Sequence, residues 1–121
     1  MSQQFEDASR EEANTFRRDR LTVAFVTSLV AMVMDVSERE LLSRRRTNAI
    51  ASRARQTAIY LVHIVLGWPL RRAAAAFGRD RTTGSHAVQL IEDLRDDASF
   101  DARLTNMEAC LRQVIEPGGA A

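Results

Sequence analysis

Apolar residues recur at helical spacing along almost the whole chain, and no segment alternates apolar and polar residues as a half-exposed strand does. The pattern predicts an all-α protein: a compact helical bundle with an extra long N-terminal helix. Phe16, Val23, Val26, Val30 and Val33 mark one face of that first helix, and Phe25, Leu29 and Met32 widen it. Ser9 and Glu12 have capping-box spacing, so the helix is expected to open near Ser9 and run to about Met34, with Asp19 a candidate break. The same spacing in Ser37-Glu38-Arg39-Glu40 opens a short helix ending near Leu42, before a basic loop from Ser43 to Asn48.

The next helix is expected from Ser52 to Leu66, buried along Ile59, Val62, Val65 and Leu66. Gly67 stops it in the left-handed conformation that caps helices. Trp68 reads as a core plug under that turn, and Pro69 suits the first turn of a new helix. That helix runs from Leu70 to Phe77 through Ala73, Ala74, Ala75 and Ala76, small residues that let another helix approach closely. Gly78 ends it. A further helix starts at Thr82 or Thr83, with Val88, Ile91 and Leu94 inside. Ser99 or Asp101 opens a last helix through Leu104, Met107, Leu111 and Val114, and residues 117–121 are expected to be a disordered tail.

Charge adds what periodicity lacks. The net charge is only +1, but from Arg39 to Arg81 ten arginines stand against two acids, with acidic stretches on either side. A basic block in a nearly neutral chain is an electrostatic footprint for a polyanion. All 17 basic residues are arginine, whose forked guanidinium suits phosphates and guanine edges better than an ammonium does. The apolar stretch from Leu21 to Met34 is too short to span a bilayer, and the acidic start is unlike a secretory signal. The chain is therefore expected to be cytoplasmic, with no membrane partner. Cys110, the single cysteine, reads as a small core residue, His63 as a satisfied core histidine, and Asp96, Asp97 and Asp101 as solvated surface. No spacing suits a metal or a catalytic cluster, so neither an enzyme nor a cofactor is expected.

The short helix, the glycine turn and the next helix across Phe77-Gly78-Arg79-Asp80-Arg81 form a helix-turn-helix pattern. Arg81, Thr82, Thr83, Ser85 and His86 open the second helix, and all can hydrogen-bond bases or phosphates. Arg71-Arg72 opens the first, and Arg53-Ala54-Arg55-Gln56 opens the helix before it. Helix starts also attract anions through the backbone dipole.

Residues Leu41 to Leu94 resemble the C-terminal DNA-binding domain of the bacterial replication initiator DnaA. The resemblance rests on Leu41-Leu42-Ser43-Arg44-Arg45-Arg46, Arg53-Ala54-Arg55-Gln56-Thr57-Ala58-Ile59-Tyr60-Leu61, Ala76-Phe77-Gly78-Arg79-Asp80-Arg81-Thr82-Thr83, His86-Ala87 and Ile91-Glu92-Asp93-Leu94. It implies a minor-groove arginine at Arg46, or at Arg45 in the other loop register. It also implies backbone contacts by Arg55 and Gln56, phosphate contacts near Leu70 and Arg71, and base reading in the major groove by Asp80-Arg81-Thr82-Thr83. With Arg53, Arg72, Arg79, Ser85 and His86 these form the candidate DNA-binding set.

Four departures from the family stand out. Arg81 replaces the histidine of the Asp-His-Thr-Thr signature, and arginine can grip guanine bidentately. Gly78 stands where the family usually has two glycines. The basic loop is one residue longer. Gly84-Ser85 replaces larger apolar residues, and because glycine costs about 1 kcal/mol inside a helix, it implies a close approach of DNA or of another helix. The chain has no lysine, so it lacks the phosphate-binding loop of the initiator's ATPase.

The expected layout is residues 1–36 as a helical extension that packs on the core or on a partner, 37–97 as the DnaA-like domain, and 98–116 as a C-terminal helix. The expected function is a double-stranded DNA-binding transcription regulator, an activator at promoter sites, nucleoid-associated. In this form it is similar to the DNA-binding half of alphaproteobacterial gene-transfer-agent activators. That likeness implies RNA polymerase reached through a separate partner; a DNA-bending architectural protein is another candidate partner. A homodimer through the first helix, a replication modulator competing for initiator boxes, and a helical protein-protein adaptor stand as alternatives.

Overall fold

The computed structural model describes residues 2–45 and 48–115. Arg46 and the tail from residue 117 lie outside the described residues. The chain folds as six α-helices, and no strand occurs among the described residues: α1 (Ser2–Met34), α2 (Glu38–Leu42), α3 (Ala49–Tyr60), α4 (Leu70–Ala76), α5 (Arg81–Leu94) and α6 (Ala98–Val114). None is long and apolar enough to cross a membrane.

α1 starts well before Ser9 and runs through Asp19 without a break. Gln3 to Glu6 contain no breaker, and Gln3 donates to Asp7 one turn on (3.3 Å), so nothing stops the helix from extending upstream. α1 ends at Asp35, which takes a left-handed φ of 55° while the Val36 N–H reaches back to the Ala31 carbonyl (3.0 Å). This is a Schellman closure in which a short polar side chain replaces glycine. The Ser37 hydroxyl then accepts from the Glu40 N–H (3.1 Å) and opens α2 as its sequence spacing anticipates.

α3 begins three residues before the expected Ser52, because the Asn48 side chain accepts from the Ala51 N–H (2.8 Å) and supplies the cap. Its last turn, Leu61–Val65, widens into a π-helical turn before Gly67, which has a φ of 77°. His63 Nδ1 lies 2.7 Å from the Trp68 carbonyl oxygen, so this histidine is satisfied, and Trp68 is buried beneath the turn. Asp97, not Ser99 or Asp101, caps α6 by accepting from the Phe100 N–H (2.9 Å).

The core lies where α1, α3, α5 and α6 converge, around Val26, Val30, Leu41, Ile59, Tyr60, Ile91, Leu104 and Leu111. Cys110 is half-buried against it. Burial of the first helix is confined to its C-terminal half. Val26, Leu29 and Val30 are buried, whereas Phe16, on the same side but in the exposed N-terminal half, is 64% exposed, and Met32, which points away from that side, is 74% exposed.

A polar network locks α6 to the body. Arg95, just after α5, donates to Asp101 (2.6 Å), to both carboxylate oxygens of Glu108 (3.0 and 3.2 Å), to Thr105 (3.2 Å) and to the Tyr60 hydroxyl (3.0 Å). Tyr60 in turn donates to Glu92 (3.0 Å). The Glu108 carboxylate, followed by Tyr60 and Asp101, raises the pKa of Arg95 further. Burial raises that of the Tyr60 phenol. Asp101 is thus a fixed ion-pair partner and not simply solvated surface.

Candidate nucleic-acid interface

The helix-turn-helix consists of α4, the turn from Phe77 to Asp80, and α5. The turn closes because Gly78 takes a φ of 70° and the Arg79 N–H bonds to the Ala74 carbonyl (2.9 Å). Asp80 starts α5 by accepting from the Thr83 N–H (2.8 Å). Those bonds to the Thr83 backbone and hydroxyl lower the Asp80 pKa, so it is a carboxylate at neutral pH. Its role here is local: it pins the helix start on which Arg81, Thr82 and Thr83 sit.

Arg81, Thr82, Thr83, Ser85 and His86 are all exposed along the first turns of α5. The next position on the inner side is Gly84, which is buried. A Cβ there would stand 2.8 Å from the Ala74 Cβ and 3.4 Å from Leu70. Glycine is therefore required by the close approach of α4, which decides between the two readings of this residue. Leu70 is half-buried at the same contact, and Arg71 beside it is exposed.

The arginine loop docks on the turn. Arg79 donates to the Ser43 carbonyl (3.2 Å) while also reaching the Phe77 and Gly78 carbonyls (both 3.3 Å). Arg44 lies over Gly78, where an added Cβ would meet its Nε at 3.4 Å. Arg45 is exposed, with its N–H held by the Ser43 hydroxyl at 3.1 Å. Arg44 is outside the candidate set, although it stands in the Leu41–Arg46 run on which the family resemblance rests.

Other candidates sit differently. Arg55 is buried, and its guanidinium donates to the carbonyls of Leu41 (2.9 Å) and Glu40 (3.3 Å). It closes the C-terminal end of α2 at the root of the loop. Burial, with the nearby Arg79 charge, lowers its pKa. Gln56 is half-buried beside it. Arg72 pairs with Asp19 of α1, and its guanidinium stacks 3.8 Å above the Trp68 ring, so its observed contacts tie α4 to α1. Arg53 lines a depression with Met34, Ala49, Ile50 and Arg103, and its Nε is buried without a hydrogen-bond partner. The structure thus gathers Arg44, Arg45, Arg79 and the start of α5 at the turn. Arg55 supports them from below, and Arg72 and Arg53 make their contacts elsewhere.

Comparison with known proteins agrees with this geometry. Residues 14–91 match the family described as bacterial dnaA protein helix-turn-helix. Among curated relatives, the chain is 35% identical over 102 residues to the chromosomal replication initiator protein DnaA of Brucella abortus, a match spanning 84% of this chain and 20% of that protein. It is 42% identical over 97 residues to that of Mesorhizobium japonicum (79% and 19%). It is 37% identical over 116 residues to that of Rhodopseudomonas palustris (92% and 24%). The chain therefore spans about a fifth to a quarter of the length of these relatives. With the matched region covering the long helix from residue 14, the arginine loop and the helix-turn-helix as far as residue 91, the chain belongs to the bacterial DnaA helix-turn-helix family.

Proposed function

We propose that this chain is a sequence-specific reader of double-stranded DNA that acts at promoters as a transcription regulator. The observation that carries the reading is the docking of the arginine loop on the helix-turn-helix turn, through Arg79 and Ser43, beside the exposed start of α5. α5 enters the major groove and presents Arg81, Thr82, Thr83, Ser85 and His86 to base edges and flanking phosphates. Arg45 reaches the neighbouring minor groove, and Arg71 and the start of α4 hold the phosphate backbone. Arg55 and Arg79 act as positioning residues for the loop.

Arg81 supports an address different from the initiator box, because a bidentate arginine selects guanine where the family's histidine makes a smaller contact. Its likeness to gene-transfer-agent activators supports activation through a separate partner that contacts RNA polymerase. Genome-wide mapping of sites bound by the intact protein tests this reading. Peaks upstream of transcription starts, sharing one guanine-containing motif, are the expected result. Peaks confined to replication origins would replace it with competition for initiator boxes, and no enrichment of any DNA would leave a protein-protein adaptor.

A further inference from the structure

Two guanidinium groups converge beside the first turn of α3. Arg53 of α3 and Arg103 of α6 line one depression with Met34, Ala49 and Ile50, and no carboxylate lines it. Arg103 is exposed and Ile50 is 59% exposed, so the depression opens outward. Like charges gathered without a counter-ion repel one another, and an anion between them is attracted by both. Neither arginine is held by an acceptor of the fold. Among the described residues Arg53 makes no side-chain hydrogen bond or ion pair, and its Nε is buried without an acceptor. Arg103 has one charge or ring contact, with Phe100 on its own helix, 5.9 Å from the ring centre. By contrast, Arg55, Arg72, Arg79 and Arg95 each donate to a carbonyl or a carboxylate within the fold. A buried donor without an acceptor is costly, so Arg53 lacks what an incoming anion supplies.

The place of the depression selects the anion. α3 follows the arginine loop, and the helix rises about 7.5 Å from its cap, Asn48, to Arg53. The inference rests on the DNA reading above, in which that loop enters the minor groove. The walls of the groove are the two phosphate backbones, about 6 Å apart. At this distance from the loop, the two arginines stand beside the phosphates that flank the read segment, and a guanidinium fork suits phosphate oxygens. Arg103 lies beyond the family match, which ends at residue 91, so its contact adds to the helix-turn-helix footprint.

We propose that Arg53 and Arg103 hold one DNA phosphate between them, just outside the base pairs read by the arginine loop and α5. The site lengthens the footprint on the loop side and carries no base preference of its own.

Fluorescence anisotropy over a salt series tests this, with the full chain on a duplex it has selected from random sequences and on a random duplex. Arg53→Ala with Arg103→Ala should lower the slope of log affinity against log salt by about 1. Arg103→Ala alone should weaken binding about threefold or more on both duplexes, while Arg103→Lys keeps most of the affinity. Arg103 is exposed, so thermal unfolding of these single variants should match the parent. A single neutral methylphosphonate linkage moved along each strand of the selected duplex then locates the contact. The parent should lose affinity at one flanking position where Arg103→Ala loses none. Arg71→Ala, run alongside, should lower the salt slope independently of the depression. An unchanged slope in the double variant, or no linkage whose effect disappears with Arg103, would overturn this site and leave the DNA reading standing. A parent protein that binds neither duplex would overturn both.

Discussion

Arg79 and Ser43 join two parts of the molecule far apart in sequence: the arginine's Nη2 donates to the serine carbonyl at 3.2 Å, so the helix-turn-helix turn carries the arginine loop with it. Because that guanidinium is committed to three carbonyls, its contribution to DNA binding is positional. Arg79→Ala should lower affinity while leaving the slope of log affinity against log salt unchanged. Loss of a phosphate contact would instead reduce the slope by about 1. Fluorescence anisotropy across a salt series reads the difference.

Gly84 and Ala74 set the distance between α4 and α5. Gly84→Ala puts a methyl group 2.8 Å from the Ala74 Cβ, and the strain should outweigh the helix-propensity gain, for a net loss of about 1–3 kcal/mol. Adding Ala74→Gly should recover part of it. Urea unfolding of the two variants measures both values, and an unchanged midpoint for the single variant would show that the helices can part freely.

Arg95 is the hinge pin of α6. Replacing it with Met leaves the buried Glu108 carboxylate without its guanidinium and should cost about 2–4 kcal/mol. Changing Glu108→Leu as well should return much of that loss, because an unpaired buried charge is worse than an apolar pair. Thermal unfolding of the single and double variants checks the ordering.

Asp80 makes a pH prediction with a definite sign. Its pKa is depressed in the folded state, so its contribution is present above the unfolded value of about 3.9 and is lost as pH falls through the folded value. It should add no pH dependence between about pH 6 and 8. Asp80→Asn keeps an acceptor for the Thr83 N–H and should preserve the α5 start, whereas Asp80→Ala should fray it. Amide hydrogen exchange at Thr82 and Thr83 reports this directly.

The periodic and glycine signals made most of the fold legible. Gly67 and Gly78 stand in the left-handed turns their positions imply, and the α2 and α4 boundaries fall close to expectation. The starts of α1, α3 and α6 were less legible, because several polar residues could cap each one and only the folded backbone selects Asn48 and Asp97. The polar contacts were not legible at all. Arg55 with Leu41, Arg79 with Ser43 and Arg95 with Glu108 join residues with no periodic relation, so in the sequence a buried arginine and a solvent-facing one look alike. For the same reason the basic block reads as a single surface, although its guanidinium groups divide between the turn, the loop root and the α1 contact.

The central claim is that the start of α5 reads DNA, with Arg81 as the residue that selects a base. The most direct test compares the intact protein and Arg81→Ala on a selected specific duplex and on a random duplex, over the same salt series. The account predicts that wild-type affinity falls steeply with salt on both duplexes. It also predicts that Arg81→Ala costs about 1–3 kcal/mol on the specific duplex and clearly less on the random one. A salt-independent wild-type signal would contradict DNA binding, and an equal loss on both duplexes would contradict base reading by Arg81.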